Sequence, residues 1–397
     1  MGFQVPIASE PSAFARSAVG RSLAAAPLYL AFAATGVGVA LPGALLPVMM
    51  SRWHLQDEQA GRLFLLAWIG SSLGALLVRG PLRNTLLFGC IAITLGTVGL
   101  SLCGGRAPDA WMALYGLGLG VTMTSISLVR QRQSSGSGTE LVRLNLLWAI
   151  GAFSCPSLTI YAQTVGDIRP VLWGLAFCFA IVAFWVMFQP GLAIRATDPN
   201  TSYPWMVFRT VPPGLIAMTM LITGIEASAG GWLATYARRG GHGIAGAVAA
   251  PTCFWAGLLL SRLFWSVCTR WLTHDRTVRG SIALMGGASV LLITGGGGLQ
   301  ILVAAFCLGF GIGPTYPLLL AWALRFQRGG AIFFLAGVGS ACLPWLTGLV
   351  SAERQSLRVG LAVPMIAAMA MVTMSLVLPL RIWNSMTNAD PPASPSR

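Results

Sequence analysis

The chain has 397 residues, 55% of them hydrophobic and 9% charged, with a mean hydropathy of +0.74, and so has too little polar surface for a soluble domain of this size. The formal charge of +14 comes from arginines in short clusters between apolar segments, with no lysine, which suits a bilayer and excludes the single basic face of a nucleic-acid binder. The eight cysteines (Cys90, Cys103, Cys155, Cys178, Cys253, Cys268, Cys307 and Cys342) all fall inside apolar segments without a CxxC, which excludes zinc sites and a disulfide framework.

Residues 1–24 carry two arginines but no discrete apolar core followed by a cleavage site, and read as a cytoplasmic N-terminal tail. A helix needs about 20 apolar residues to cross a membrane. Twelve segments qualify: 25–50, 60–79, 85–103, 111–129, 141–163 and 171–189, then 211–237, 243–267, 280–296, 299–324, 330–352 and 357–380. Between the two sets lies QPGLAIRATDPNTSYPWMVFR, rich in Pro and turn residues. The expected organisation is a six-helix bundle over 25–189, a cytoplasmic linker over 190–210, a second bundle over 211–380 and a cytoplasmic tail over 381–397. Sorting the arginines by side gives 17 to the side holding both termini and 8 to the other, which puts the termini in the cytoplasm of an inner membrane.

The halves resemble each other. Thr35-Gly36 matches Thr223-Gly224, and the WIG starting at Trp68 matches the WAG starting at Trp255. GLGLGVT from Gly116 matches GFGIGPT from Gly309, and IGAFSCP from Ile150 matches VGSACLP from Val338. Three of the four offsets are 187 or 188 and the fourth is 193. Two parallel six-span repeats imply an all-α membrane fold of two pseudo-symmetric bundles, with a solute site between them near the midplane.

Candidate residues follow in chain order. Span 4 offers Thr122 and Ser125, with Thr124 and Ser127 beside them, and span 5 offers Asn145 and Trp148. Hydroxyls in membrane helices often bond their own backbone, so each competes with that role. Pro156 and Pro344 are expected to bend gating helices. In span 10, Thr315 and Tyr316 sit between Pro314 and Pro317. Arg262, in GLLLSRLF, is read either as snorkelling to the interface or as half of a gate ion pair. The glycine strings GLGLG and GFGIG lie within apolar helices, not after strands, and read as helix packing. His54, His242 and His274 lie in connecting loops with no metal-ligand spacing.

The stretch TGIEASAGGWLATYA (223–237) is the most informative. Of the 11 acidic residues, ten lie in tails, loops or helix ends, and Glu226 alone lies inside a span, about 22 Å along its axis at the helical rise. Placing a carboxylate there costs about 2.5–3.5 kcal/mol, so it should face the bundle interior or a wet cavity, as a proton or substrate contact or as a neutral packing bond. Gly230 and Gly231 follow, either letting the helix bend where it lines a cavity or permitting close packing. Trp232 offers an aromatic face with a polar handle for a sugar or other polar ring, against a place in the interfacial aromatic belt; for Tyr236 the belt is the better reading.

These stretches, with LPGALLPVMMSRWHLQDEQAGRLF at spans 1 to 2, LNLLWAIGAFSCP in span 5 and GVGSACLPWLTG in span 11, resemble the major facilitator superfamily, and within it the fucose/glucose-type proton symporters. The resemblance covers about residues 25–380 and implies alternating access around one site, commonly with proton coupling. It departs where fucose permeases carry two acids: this chain has Gly43 before Pro47 and Val121 in GLGLGVT. Any proton coupling therefore falls on Glu226. The expectation is a monomeric secondary transporter, not an enzyme, for a small polar organic solute such as a sugar, with no cofactor and no metal. An efflux carrier for a hydrophobic or metabolite-like compound is the alternative, and a non-transporting membrane sensor the more distant one.

Overall fold

The computed structural model describes residues 13–133, 138–189, 192, 195–196, 207–268, 273–326, 330–378 and 380. Most of the expected tails and of the 190–210 connection lie outside these residues. The helices in order are α1 (Ala13–Trp53), α2 (Asp57–Leu76), α3 (Leu82–Leu102), α4 (Pro108–Gln133), α5 (Gly138–Leu158), α6 (Ile160–Val165), α7 (Arg169–Met187) and α8 (Val207–Thr210). They continue with α9 (Pro213–Ala237), α10 (Gly243–Cys268), α11 (His274–Thr294), α12 (Gly298–Phe326), α13 (Gly330–Arg354), α14 (Leu357–Gly360) and α15 (Ala362–Val377). A two-residue antiparallel pairing joins β1 (Gly80–Pro81) to β2 (Arg195–Ala196).

Among the described residues, ten segments are long and apolar enough to cross a membrane. One of them, Pro213–Trp265, contains both α9 and α10, which a single π turn joins at Arg238–His242. Gly241 and Gly243 take positive φ there, a conformation that a side chain would strain. α2 falls short of that apolarity because Asp57, Glu58, Gln59 and Arg62 load its first turns. With these two helices resolved, and α5–α6 and α14–α15 each counted as one crossing, the protein is a multi-pass bundle of twelve.

Packing repeats between the halves. In the first, α1 packs on α5, α2 and α3 on α4, and α3 on α7; in the second, α9 packs on α13, α10 and α11 on α12, and α11 on α15. These are the same pairs by position. Glycines carry the contacts, since lipid supplies no hydrophobic drive and close backbone approach must supply dispersion instead. A Cβ on Gly116 would sit 1.9 Å from the Ala67 carbonyl, and one on Gly309 would sit 1.9 Å from that of Phe254. These are equivalent positions of the two repeats. The halves meet along α2–α13, α5–α10 and α1–α9.

Candidate functional site

A cavity of about 170 Å³ lies between the halves. From the first half it is lined by Gly38 and Gly43 of α1, Phe64 and Trp68 of α2, Tyr115 of α4, and Asn145 and Trp148 of α5. From the second come Glu226, Gly230 and Gly231 of α9, Trp255 and Arg262 of α10, and Tyr316 of α12. The polar groups are distributed unevenly. Aromatic faces come from both halves, whereas the carboxylate and the guanidinium both come from the second.

Glu226 is half-buried and makes no hydrogen bond or ion pair among the described residues. Arg262 lies within electrostatic reach of both Glu226 and Tyr316. Its Nη1 donates a single long bond, 3.3 Å, to the backbone oxygen of Asn145, and its buried Nε has no partner. Its guanidinium carbon lies 5.3 Å from the Trp148 ring centre, within the range of cation–π attraction. Trp148 stands edge-on to Trp255, with centroids 5.8 Å apart, and its buried Nε1 is also without a partner. Opposite Glu226 in the repeat is Gly38, whose carbonyl accepts the Tyr115 hydroxyl and whose Cβ would crowd Leu119 at 2.9 Å. The first half thus closes with a tyrosine the position where the second opens with a carboxylate.

The structure brings Glu226, Asn145, Trp148, Tyr316, Arg262, Gly230 and Gly231 to one cavity. Other sequence candidates stand elsewhere. Trp232 is fully buried, and its Nε1 donates to the Pro344 carbonyl at 3.0 Å, so its polar handle is used in packing α9 on α13. Thr315 bonds the Gly311 carbonyl at 2.8 Å, as hydroxyls in helices do, and Ser125 bonds Thr85 at 3.0 Å. Thr122 is buried beside Gly89, away from the cavity. Pro156 lies just before the break between α5 and α6, where the Thr159 hydroxyl caps its carbonyl at 2.8 Å. α13 runs unbroken through Pro344. Tyr236 is buried, with its hydroxyl donating to the Leu292 carbonyl at 2.9 Å. Trp68, Trp255, Phe64 and Tyr115 join the cavity although sequence reasoning did not select them as contacts. The Trp68 and Trp255 match between the repeats was the available signal.

The bundle has a near end, where α1 begins, and a far end, where α1 turns into α2. Asn145, Arg262 and Tyr316 lie in the near-end halves of their helices, whereas the far-end limit of the cavity is set by Gly43, Phe64, Gly230 and Gly231. Beyond that limit the halves are tied together. A Cβ on Gly43 would fall 1.9 Å from the Gly230 carbonyl, so α1 and α9 touch backbone to backbone. Phe64 meets Trp232 edge-on at 5.8 Å. Outside the span, Asp57 takes both Nη groups of Arg239, at 2.6 and 2.8 Å, and the Ser351 hydroxyl at 2.5 Å. Burial pushes the Asp57 carboxyl up, but the bonds from Arg239 and Ser351 and the guanidinium charge outweigh it and hold the group below the usual carboxylate range. Arg238 adds a bond to Gln163 at 3.2 Å, and Gln163 donates to the Ala44 carbonyl at 2.6 Å.

The two positions where the resemblance would place acids are both confined. Position 43 has no room for a side chain against Gly230, and Val121 is buried between α2 and α3, beside Gly74 and Gly89.

No protein-family profile matches the sequence, and no curated protein does either. Solved structures do. The nucleoside transporter NupG superposes with a TM-score of 0.70 at 12% identity, over 92% of this chain and 98% of that one. FucP, a major facilitator superfamily transporter in the outward conformation, superposes with a TM-score of 0.58 at 12% identity, over 88% and 97%. The chain has the major facilitator fold over nearly its whole length.

Proposed function

We propose that this protein is a secondary transporter that moves a small ring-bearing polar solute by alternating access, with Glu226 as its proton-coupling group. One observation carries the reading: a carboxylate and a guanidinium with unused hydrogen-bonding capacity share a cavity between two pseudo-symmetric halves. Buried groups of this kind persist at a cost in stability unless a ligand completes them. NupG is a nucleoside transporter, which makes a small hydroxylated, ring-bearing solute a natural reading. In this reading the termini are cytoplasmic in an inner membrane, one chain suffices, and the sealed far end faces outward.

Reconstituted protein should accumulate its solute against a gradient when a proton gradient is imposed. Glu226→Gln should abolish that accumulation while leaving exchange of solute down its gradient. Unchanged accumulation in the variant at every pH would remove the coupling role. The largely aromatic lining favours a second reading, efflux of a more hydrophobic compound, which proton-driven extrusion from everted vesicles would reveal. Saturable binding without flux in either direction would make the protein a sensor.

A further inference from the structure

We propose that the cavity takes a monocyclic carboxylate, with Arg262 and Trp148 receiving its carboxylate and Glu226 taking up the proton that travels with it. This rests on the transporter reading and names its substrate class.

Donors predominate on one side of the cavity. Arg262 uses only one long bond to the Asn145 carbonyl, its Nε is unpartnered, and the adjacent Trp148, 7% exposed, has an unpartnered Nε1. The 5.3 Å approach of the guanidinium to the Trp148 ring puts these donors together. Two donor groups side by side, with one long bond to a backbone oxygen between them, suit an oxygen-rich anion, and a guanidinium matches a carboxylate in plane and spacing. The walls suit a ring: Trp148, Trp255, Trp68 and Phe64 are aromatic, and the volume is about 170 Å³. An apolar cavity of about 150 Å³ holds benzene, so one six-membered ring with a short polar group is the size admitted.

Charge balance then assigns Glu226. The charged or titratable groups facing it are Arg262 of α10 and Tyr316 of α12, while α1, α13 and α15 bring no charged side chain to the cavity. Empty, the site holds one carboxylate and one guanidinium and is neutral. Loaded with a monoanion and one proton on Glu226, it is neutral again. Anion without proton leaves one net negative charge, and proton without anion leaves one net positive charge. Both are costly away from water, so both half-loaded states are suppressed. Tight, electroneutral coupling of one carboxylate to one proton follows without a second titratable group.

The test uses the full-length purified protein and four probes of one size: benzoate, benzamide, benzylamine and cyclohexanecarboxylate. Titration calorimetry is run in buffers of different ionisation enthalpy. Benzoate and cyclohexanecarboxylate are expected to bind, benzamide at least about tenfold more weakly, and benzylamine not at all. One proton should be taken up per benzoate, with affinity rising about tenfold per unit fall in pH above the titration point of Glu226. Glu226→Gln should bind benzoate with no proton uptake. Arg262→Gln should lose about 10- to 100-fold in benzoate affinity, and Trp148→Phe a smaller factor. Equal binding of benzamide and benzoate, or benzylamine binding in place of benzoate, overturns the assignment. The wild-type probe comparison decides this even if Arg262→Gln fails to fold. Benzoate binding without flux in proteoliposomes sinks the transporter reading and leaves the carboxylate site standing. Flux of a neutral solute without benzoate binding does the reverse.

Discussion

At the residue scale, Glu226 and Trp232 show what a sequence reveals about a site and what it hides. Glu226 was legible because a single acid inside an apolar helix must face protein or a wet cavity, and it lines the central one. Trp232, six residues on, carried the same kind of promise but faces α13, because an indole N–H in a dry interior takes the nearest carbonyl, here that of Pro344. Helical spacing alone does not decide between a cavity and a neighbouring helix. Trp232→Phe is expected to cost about 0.5–1.5 kcal/mol by removing that interhelical hydrogen bond, lowering Tm while changing solute affinity less than about twofold. A loss of affinity with an unchanged Tm would return Trp232 to the site. The reverse pattern is expected for Trp148→Phe, whose indole N–H has no partner to lose.

At the element scale, α1 and α9 meet at Gly43 and Gly230 with no space for a methyl group. Gly43→Ala should therefore oppose closure of the far end. Spin labels at Ser51 on α1 and Glu353 on α13, both exposed, should show a longer distance in the variant than in an otherwise cysteine-free parent. An unchanged distance would mean that the helices separate elsewhere. The tie of Asp57 to Arg239 and Ser351 acts on the same closure. Because the Asp57 carboxyl is held below its ordinary value of 3.8, its contribution is complete above that value and lost only as pH falls through the depressed one. Asp57→Asn should lower the closed-to-open ratio by a factor of about five, roughly 1 kcal/mol for a pair whose arginine is 44% exposed. That difference should stay constant from about pH 5 to about pH 8. A difference that varies within this interval would assign the titration to another group.

At the scale of the whole molecule, the fold was legible through apolar length and through the internal repeat. The matching glycine strings proved to be equivalent helix contacts, Gly116 on Ala67 and Gly309 on Phe254. α2 was the weakest span by apolarity, because its polar first turn carries the far-end tie. The cavity was less legible, since its aromatic wall comes from six helices whose contributions depend on rotation about each axis. The fold comparison, at 12% identity, identifies the architecture and leaves the chemistry to these residues. In the proposed mechanism the halves alternate around the cavity under control of Glu226. The most direct measurement pairs spin labels at the far end (Ser51 and Glu353) and, separately, at the near ends of α4 and α12, from about pH 5 to about pH 8. Two populations are expected at each end, shifting in opposite senses with pH in the wild-type background and insensitive to pH in Glu226→Gln. A single distance at both ends, or the same pH dependence with and without the carboxylate, would contradict it.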